Sequence, residues 1–130
     1  MMPTSVINAG AEDGVMPTGG QAGRPGQASL QLSHRVLPTG EAVARIGGEL
    51  DIATADMAVR YVRQVIDRHH GPLVADLTAL RFCDARGLSA LVGMANYAEQ
   101  AGCSFRLASP SPSLVRLLQI TSLDRRFLAR

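Results

Sequence analysis

The chain has 130 residues and a formal net charge of +2, with 13 arginines and no lysine. That length suits one domain whose core needs neither disulfides nor metal, and the charge is too small to indicate a nucleic-acid partner. Aromatic residues make up 4% of the chain, so the core must be aliphatic. No segment is apolar over the length of a bilayer span, and the N-terminus lacks the features of a signal peptide. A cytoplasmic protein without direct membrane insertion is therefore expected.

The first 29 residues differ in composition from everything that follows. They contain six glycines and three prolines and show neither a helical nor a strand period. Such a composition buries too little apolar surface to offset the conformational entropy lost on folding. The sequence therefore predicts a disordered leader over residues 1–29 and one ordered domain over residues 30–130.

The ordered part opens with two predicted strands. Residues 30–37, LQLSHRVL, alternate apolar and polar side chains, and residues 42–50, AVARIGGEL, do so again near their start. The PTGE segment between them, residues 38–41, has the composition of a turn. The two strands are therefore predicted to form an antiparallel hairpin.

Three predicted helices then alternate with two further strands, and a short edge strand is predicted around Phe127. Thr54 is a good N-cap for the first helix, and proline stands at the first position of the third. Because strands alternate with helices, we expect an α/β fold with a small, mixed, mostly parallel sheet of four to five strands and the helices mainly on one face. The helices are predicted at residues 54–70, 87–102 and 111–123, and the strands at 73–80 and 103–109.

Patterns of catalytic or metal-binding residues do not occur in the sequence. Cys83 and Cys103 have neither CxxC nor zinc spacing, and both lie in apolar segments, as expected of buried reduced thiols. His34, His69 and His70 have no visible reason to converge on a nucleophile, and there is no P-loop. The sequence therefore indicates a protein that is not an enzyme and that needs no metal or cofactor.

Three segments together carry a family resemblance: GGELDIATA at residues 47–55, LVADLTALRFCDARGLSALV at 73–92 and SPSLVRLLQITSLDRRF at 111–127. In this order and spacing they resemble the STAS domain, named for sulfate transporters and anti-sigma factor antagonists, over about residues 30–130. The stand-alone form is similar to the bacterial antagonists. These bind an anti-sigma factor, which is usually also a serine-protein kinase, and so release a sigma factor for transcription. The resemblance implies a regulatory protein-binding module with such a partner.

The resemblance also implies where the partner binds. In this family a Ser or Thr just before a glycine, in Asp-Ser-Ser-Gly or Asp-Ser-Thr-Gly, accepts phosphate at the start of the second helix and switches the antagonist off. Here the matching residues are Asp84-Ala85-Arg86-Gly87. Arg86 occupies the phosphoacceptor position and cannot be phosphorylated. The resemblance therefore implies the fold and a binding role, but not the family's switch at this position.

Arg86 brings a cation to a helix N-terminus, which costs about 0.3–1 kcal/mol unless something offsets it. Asp84, which has helix capping as its simpler role, and Asp51, in the adjoining turn, are candidate counter-charges. Two interpretations stay open: Arg86 contacts the partner, or the switch has decayed and solvent tolerates the arginine. Thr78 and Ser89 are alternative phosphosites, and Ser89 shares a helix face with Arg86. The predicted partner-binding residues are Asp51, Asp84, Arg86, Gly87 and Ser89.

A second class of function also stays open at this stage. The chain could be the STAS subunit of a lipid-transport ABC system or part of a multiprotein stress-signalling complex. A transporter subunit would co-purify with an ATPase and membranes, whereas an antagonist would capture a soluble anti-sigma kinase. The sequence leaves open whether the protein forms a homodimer.

Overall fold

Five strands and four helices make up residues 29–128, which are the residues that the computed structural model describes. The predicted leader, apart from Ser29, lies outside the described residues. Across the described range each helix is too short or too polar to cross a bilayer. In chain order the elements are β1 (Leu30–Val36), β2 (Ala42–Leu50), α1 (Ala55–His69), β3 (Leu73–Asp76), β4 (Leu80–Cys83), α2 (Ala85–Gln100), β5 (Phe105–Ala108), α3 (Pro112–Ile120) and α4 (Asp124–Leu128).

The sheet is organised around β2. The predicted hairpin is present, because β1 pairs with β2 in antiparallel orientation with Leu30 opposite Gly48. The other edge of β2 is shared by two parallel strands: β3 pairs with its first half and β4 with its second half. β5 then pairs in parallel with β3. The pairing of Leu50 with Cys83 brings the carboxyl ends of β2 and β4 to the same end of the sheet.

The segment predicted as one strand, residues 73–80, is divided by a turn. The Leu80 N–H donates to the Leu77 carbonyl at 3.0 Å. Asp76 Oδ1 accepts from the Thr78 N–H at 3.0 Å and from the Thr78 hydroxyl at 2.6 Å. Aspartate commonly closes a turn in this way by bonding to backbone two residues ahead. The turn lets the chain leave β3 and pair with β2 again as β4.

The helices cover one face of the sheet, and the predicted fold class is confirmed. Alternate residues of β2, Ala42, Ala44 and Ile46, are buried on that face. The other face carries exposed ion pairs, such as Arg45 with Asp76 at 3.8 Å, which contribute little to stability. The core is aliphatic, as the composition predicted, and its largest buried side chains include Leu32, Ile46, Val62, Ile66, Leu91, Met94 and Leu118.

Two predictions about element ends need correction. The second helix begins at Ala85 rather than Gly87, because Asp84 caps it. The edge strand predicted around Phe127 is wrong, because Phe127 lies in α4, fully buried, with its ring centroid 6.1 Å from that of Phe105. A segment of five residues is too short for hydrophobic period to distinguish a strand from a helical turn.

Candidate functional site

The loops that follow β2 and β4 lie side by side. The Asp84 N–H donates to the Leu50 carbonyl at 3.3 Å. Gly87 packs on the same carbonyl, since a Cβ at this position would overlap the Leu50 oxygen and lie 2.8 Å from Cys83 Sγ. Such a close approach of two backbones requires glycine. Gly87 therefore holds the first turn of α2 against the end of β2, beside Asp51.

Asp84 is the N-cap of α2. Its backbone is extended, with φ −101° and ψ −167°, and its Oδ1 accepts from the Gly87 N–H at 3.0 Å. The Leu88 N–H donates to the Asp84 carbonyl at 2.8 Å, which continues the helix. The capping role considered for Asp84 from the sequence is thus confirmed. Its role in partner binding stays a prediction.

Asp51 organises the loop between β2 and α1. Its Oδ1 accepts from the Ala53 N–H at 2.9 Å, and its own N–H donates to the Thr54 hydroxyl at 3.0 Å. The same hydroxyl donates to the Glu49 carbonyl at 2.8 Å. Thr54 therefore stands at the predicted N-cap position but uses its side chain to tie α1 to β2, with no bond to a first-turn N–H.

Arg86 lies exposed in the first turn of α2. Its guanidinium makes no hydrogen bond or ion pair with any other residue in the range 29–128. Asp51 and Asp84, the candidate counter-charges, form no ion pair with Arg86 within this range, and one oxygen of each carboxylate accepts from a backbone N–H instead. The described chain leaves Arg86 unfavourably placed toward the helix dipole and open to an external anionic group.

Two exposed apolar side chains belong to the segments that adjoin this turn. Ile52, in the loop after β2, is 68% exposed, and Phe82, in β4, is 50% exposed. Ser89, three residues after Arg86, is also exposed on the helix face that they share. Ile52, Phe82, Arg86 and Ser89 are hereafter the α2 N-terminal surface. Its mixture of apolar area, one cation and one hydroxyl is of the kind that protein interfaces use.

The alternative phosphosites lie in different environments. The Thr78 hydroxyl donates to Asp76 Oδ1 at 2.6 Å, so a phosphate there would break the turn and stand next to a carboxylate. Ser89 is exposed, and a phosphate on it would have Arg86 on the same helix face. Charge therefore favours Ser89 over Thr78 as a phosphosite, and phosphorylation at either residue stays a prediction.

Cys83 is a poor nucleophile where it stands. Burial, with a smaller contribution from the Asp84 carboxylate, raises the pKa of its thiol to about 11, so the thiol is protonated at neutral pH. The rings of His34 and His69 lie 5.6 Å from each other, and His34 is opposite Ala44, away from the carboxyl end of β2. Within residues 29–128 no three metal-ligating side chains converge.

Sequence reasoning missed Ile52 and Phe82. Both belong to short apolar runs, and a run of that kind does not reveal which member is left exposed. One signal was available for Ile52, which lies between Asp51 and Thr54 in a segment with the composition of a loop. For Phe82 the sequence carries no such signal, because its exposure depends on how β4 pairs with β2.

Several known proteins are similar to this chain in sequence or in structure. Residues 33–130 match the family model for the STAS domain. An anti-sigma F factor antagonist from Paenibacillus polymyxa is 31% identical over 95 residues, which are 72% of this chain and 79% of that protein. The structure of the Bacillus cell fate determinant SpoIIAA in its phosphorylated form has a TM-score of 0.59 at 21% identity, over 76% of this chain and 88% of that one.

The structure of a sulfate transporter family protein from Wolinella succinogenes is similar to the same degree. Its TM-score is 0.60 at 22% identity, over 73% of this chain and 81% of that chain. At such identities the two structural likenesses show the fold alone. The Paenibacillus relative, at higher identity, bears on the class of function.

Proposed function

Because this chain belongs to the STAS domain family, we propose that it is a regulatory protein-binding module of the anti-sigma factor antagonist kind. In this role it binds an anti-sigma factor or serine-protein kinase in the bacterial cytoplasm and thereby releases a sigma factor. The 31% identity with the Paenibacillus antagonist supports this class. The observation that carries the proposal is the α2 N-terminal surface, where rigidly held loops present exposed side chains around Arg86.

The proposal includes a change of charge at the centre of this surface. A phosphate at the acceptor position would add about −1.5 to −2 charge, whereas Arg86 adds a permanent positive charge, because guanidinium does not deprotonate in proteins. The chain therefore stays in its binding state when a kinase is active. The partner surface that faces Arg86 should be acidic, since a carboxylate would pair with the guanidinium and offset the helix dipole.

The alternative role as a subunit of a lipid-transport ABC system or of a stress-signalling complex makes a different prediction about partners. Likeness to the Wolinella sulfate transporter family protein shows the fold alone and does not favour transport. Affinity capture with the full chain from its native host, followed by mass spectrometry, separates the roles. Recovery of a soluble anti-sigma factor or kinase supports the proposal, and recovery of an ATPase with membrane proteins contradicts it.

Calorimetry against the captured partner tests Arg86 itself. Losing a charge-assisted hydrogen bond costs about 1.5–3 kcal/mol, so Arg86→Ala and Arg86→Ser should each weaken binding about tenfold or more. Arg35→Ala is the matched control, because Arg35 is also exposed but belongs to β1. Unchanged affinity in both Arg86 variants would make the arginine a bystander at a decayed switch.

Phosphorylation by the captured kinase tests the loss of the switch. The natural chain should gain no phosphate on residues 84–88, because Ala85 and Arg86 carry no hydroxyl. Arg86→Ser should gain one, detected by mass spectrometry. Phosphate on Thr78 or Ser89 of the natural chain, together with loss of partner binding, would show that the switch has moved and that the binding state is not permanent.

A further inference from the structure

The chain enters the sheet close to the α2 N-terminal surface. The Ser29 carbonyl accepts from the Glu49 N–H at 2.8 Å. Glu49 precedes Leu50, whose carbonyl receives the N–H of Asp84 at the start of α2. Adjacent strands lie about 4.8 Å apart and only β2 separates β1 from β4, so Ser29 is about 10 Å from the start of α2. Whatever precedes Ser29 is therefore attached beside this surface.

The preceding segment is long enough to reach the surface and short enough to stay concentrated there. Asp13 stands 16 positions before Ser29, a distance that spans at most about 55 Å when extended. A flexible chain of that length has a root-mean-square end-to-end distance of about 20–24 Å. A tether whose dimensions are comparable to the gap it must bridge gives an effective concentration of about 1 mM.

The charge of that segment complements the surface. Among residues 1–28 only Glu12, Asp13 and Arg24 are charged, and the two acids are adjacent. On the surface, the guanidinium of Arg86 has no anionic partner within residues 29–128. A carboxylate placed there would pair with it and also offset the helix dipole.

The apolar pattern of the segment agrees with this pairing. Val15 and Met16 follow the acids after one glycine, and the surface includes the exposed apolar side chains of Ile52 and Phe82. We propose that residues 11–16, AEDGVM, dock on the α2 N-terminal surface and compete within the chain against its partner. The regulatory meaning of this contact rests on the proposed function, whereas the contact itself does not.

The expected competition is mild. A contact with an intrinsic dissociation constant of about 1 mM, at an effective concentration of about 1 mM, is formed about half of the time. Since only the open half of the molecules binds, the apparent affinity for the partner falls about twofold. The segment would then tune the affinity of a surface that phosphate no longer switches.

Photo-crosslinking in the full chain tests the contact without any partner. Val15 is replaced by benzoylphenylalanine, and the irradiated protein is digested and analysed by mass spectrometry. We expect crosslinks within one chain to peptides that contain Ile52, Phe82 or Arg86. Crosslinks confined to other parts of the chain would overturn the proposal, and so would crosslinks between chains, which would make a second copy the occupant.

Charge variants show whether the acids direct the contact. Glu12→Gln with Asp13→Asn should lower the crosslink yield severalfold, as should 1 M salt, because screening weakens pairs between exposed charges. Thr18→Lys with Gln21→Lys is the matched control, since it changes the net charge by the same +2 but keeps both acids. Equal yields in the two double variants would overturn the role of Glu12 and Asp13.

Binding to the captured partner then tests the regulatory meaning. Glu12→Gln with Asp13→Asn should tighten the partner's affinity about twofold, and the lysine control should not. An unchanged affinity in a chain that crosslinks as expected would overturn the competition. If the chain crosslinks as expected but captures no anti-sigma partner, the proposed function is contradicted. If it captures the partner but does not crosslink, the proposed contact is contradicted.

Discussion

Helices α1 and α2 both begin at the carboxyl ends of sheet strands, and they differ in how their first turns are capped and charged. At the start of α1 the Thr54 hydroxyl is buried and bonded to the Glu49 carbonyl, and Asp56 supplies the negative charge that a helix N-terminus favours. At the start of α2 the Asp84 cap is followed by the exposed Arg86, and the first turn contains no acid. The first start has a favourable first-turn charge but no side-chain cap on a first-turn N–H, whereas the second has the side-chain cap but carries a cation in its first turn.

This difference separates a helix start with a favourable first-turn charge from a helix start whose charged group has no partner among the described residues. Both starts are held firmly, α1 by a hydroxyl and α2 by the contact of Gly87 with the Leu50 carbonyl. Rigid attachment is therefore common to the two. What distinguishes α2 is a cation without a partner among the described residues, on a surface whose position is well defined. Four measurements test this comparison, and a fifth probes a group far from both helix starts.

The largest effect is expected at the contact that holds α2. Gly87→Ala should lower the free energy of unfolding by about 3 kcal/mol, because its Cβ would overlap a backbone oxygen that cannot easily move. For about 100 ordered residues this lowers Tm by about 10–20 °C, measured by calorimetry. Gly93→Ala, in the same helix but with open space around its Cβ, should instead stabilise by about 0.5–1 kcal/mol. Similar losses in both variants would contradict the proposed anchoring.

The next effect is expected at the start of α1. Thr54→Val removes the acceptor of the Asp51 N–H and the donor to the Glu49 carbonyl. Leaving buried polar groups unsatisfied should cost about 1–3 kcal/mol in urea denaturation. Thr121→Val is the control, because that hydroxyl is exposed and water can replace its bond to the Leu117 carbonyl. If Thr54→Val cost no more than the control, α1 would not be held by its hydroxyl.

Replacing the cap of α2 should have a smaller effect. Asp84→Ala should cost about 1 kcal/mol, whereas Asp84→Asn should keep nearly full stability, because the amide oxygen can also accept from the Gly87 N–H. The asparagine variant then isolates the charge. If Asp84 acts only as a cap, Asp84→Asn binds the partner as the natural chain does, and weakened binding would assign the carboxylate a direct contact.

Opposite small effects are expected from the two first-turn charges. In a chain that already carries Glu12→Gln and Asp13→Asn, so that the proposed docking of residues 11–16 does not contribute, Arg86→Ala should raise the free energy of unfolding by about 0.3–1 kcal/mol, and Asp56→Asn should lower it by a similar amount. Both changes should shrink in 1 M salt, measured by the urea midpoint. A loss of stability in Arg86→Ala would show that another group already offsets its charge, and the contrast between the two starts would fail.

The far end of α1 provides a pH test that should leave this comparison untouched. Burial, with the charges of Arg68 and His70, lowers the pKa of His69 below 6.5. The native state therefore binds fewer protons than the unfolded chain, so stability is retained above pH 6.5 and lost as the pH falls through the lower native pKa. The urea midpoint should fall between pH 7.5 and 5, less steeply in His69→Gln, and Arg86→Ala should keep the natural slope. An equal slope in His69→Gln would exclude His69 as the source.

Local pattern predicted the bounds of two elements closely. The predicted strand at residues 42–50 coincides with β2, and α1 differs from its prediction by one residue at each end. The strand predicted at residues 73–80 ends at Asp76, because the bonds of Asp76 to Thr78 close a turn within the predicted run. Side-chain bonding to the backbone overrode the pattern there.

At the candidate site, too, some features could be predicted from the sequence and others could not. The order of residues around Arg86 was enough to predict a helix start, a cap at Asp84 and a position without a hydroxyl. The lack of an ion pair between Arg86 and Asp51 within residues 29–128 was not predictable, because the distance between these two side chains is set only when two loops from different strands are brought together. The bonds that Asp51 and Asp84 make to backbone N–H groups are local, and only the cap at Asp84 was predicted.

The fold class and the aliphatic core could be predicted from the sequence, because period and composition are local properties of the chain, and the family resemblance implied that Arg86 occupies the phosphoacceptor position. The requirement for glycine at position 87 and the exposure of Ile52, Phe82 and Arg86 become visible only in the folded chain. The reason is that β2 pairs with two strands along one edge. That pairing, between residues far apart in sequence, sets the close approach at Leu50 and fixes which side chains face solvent.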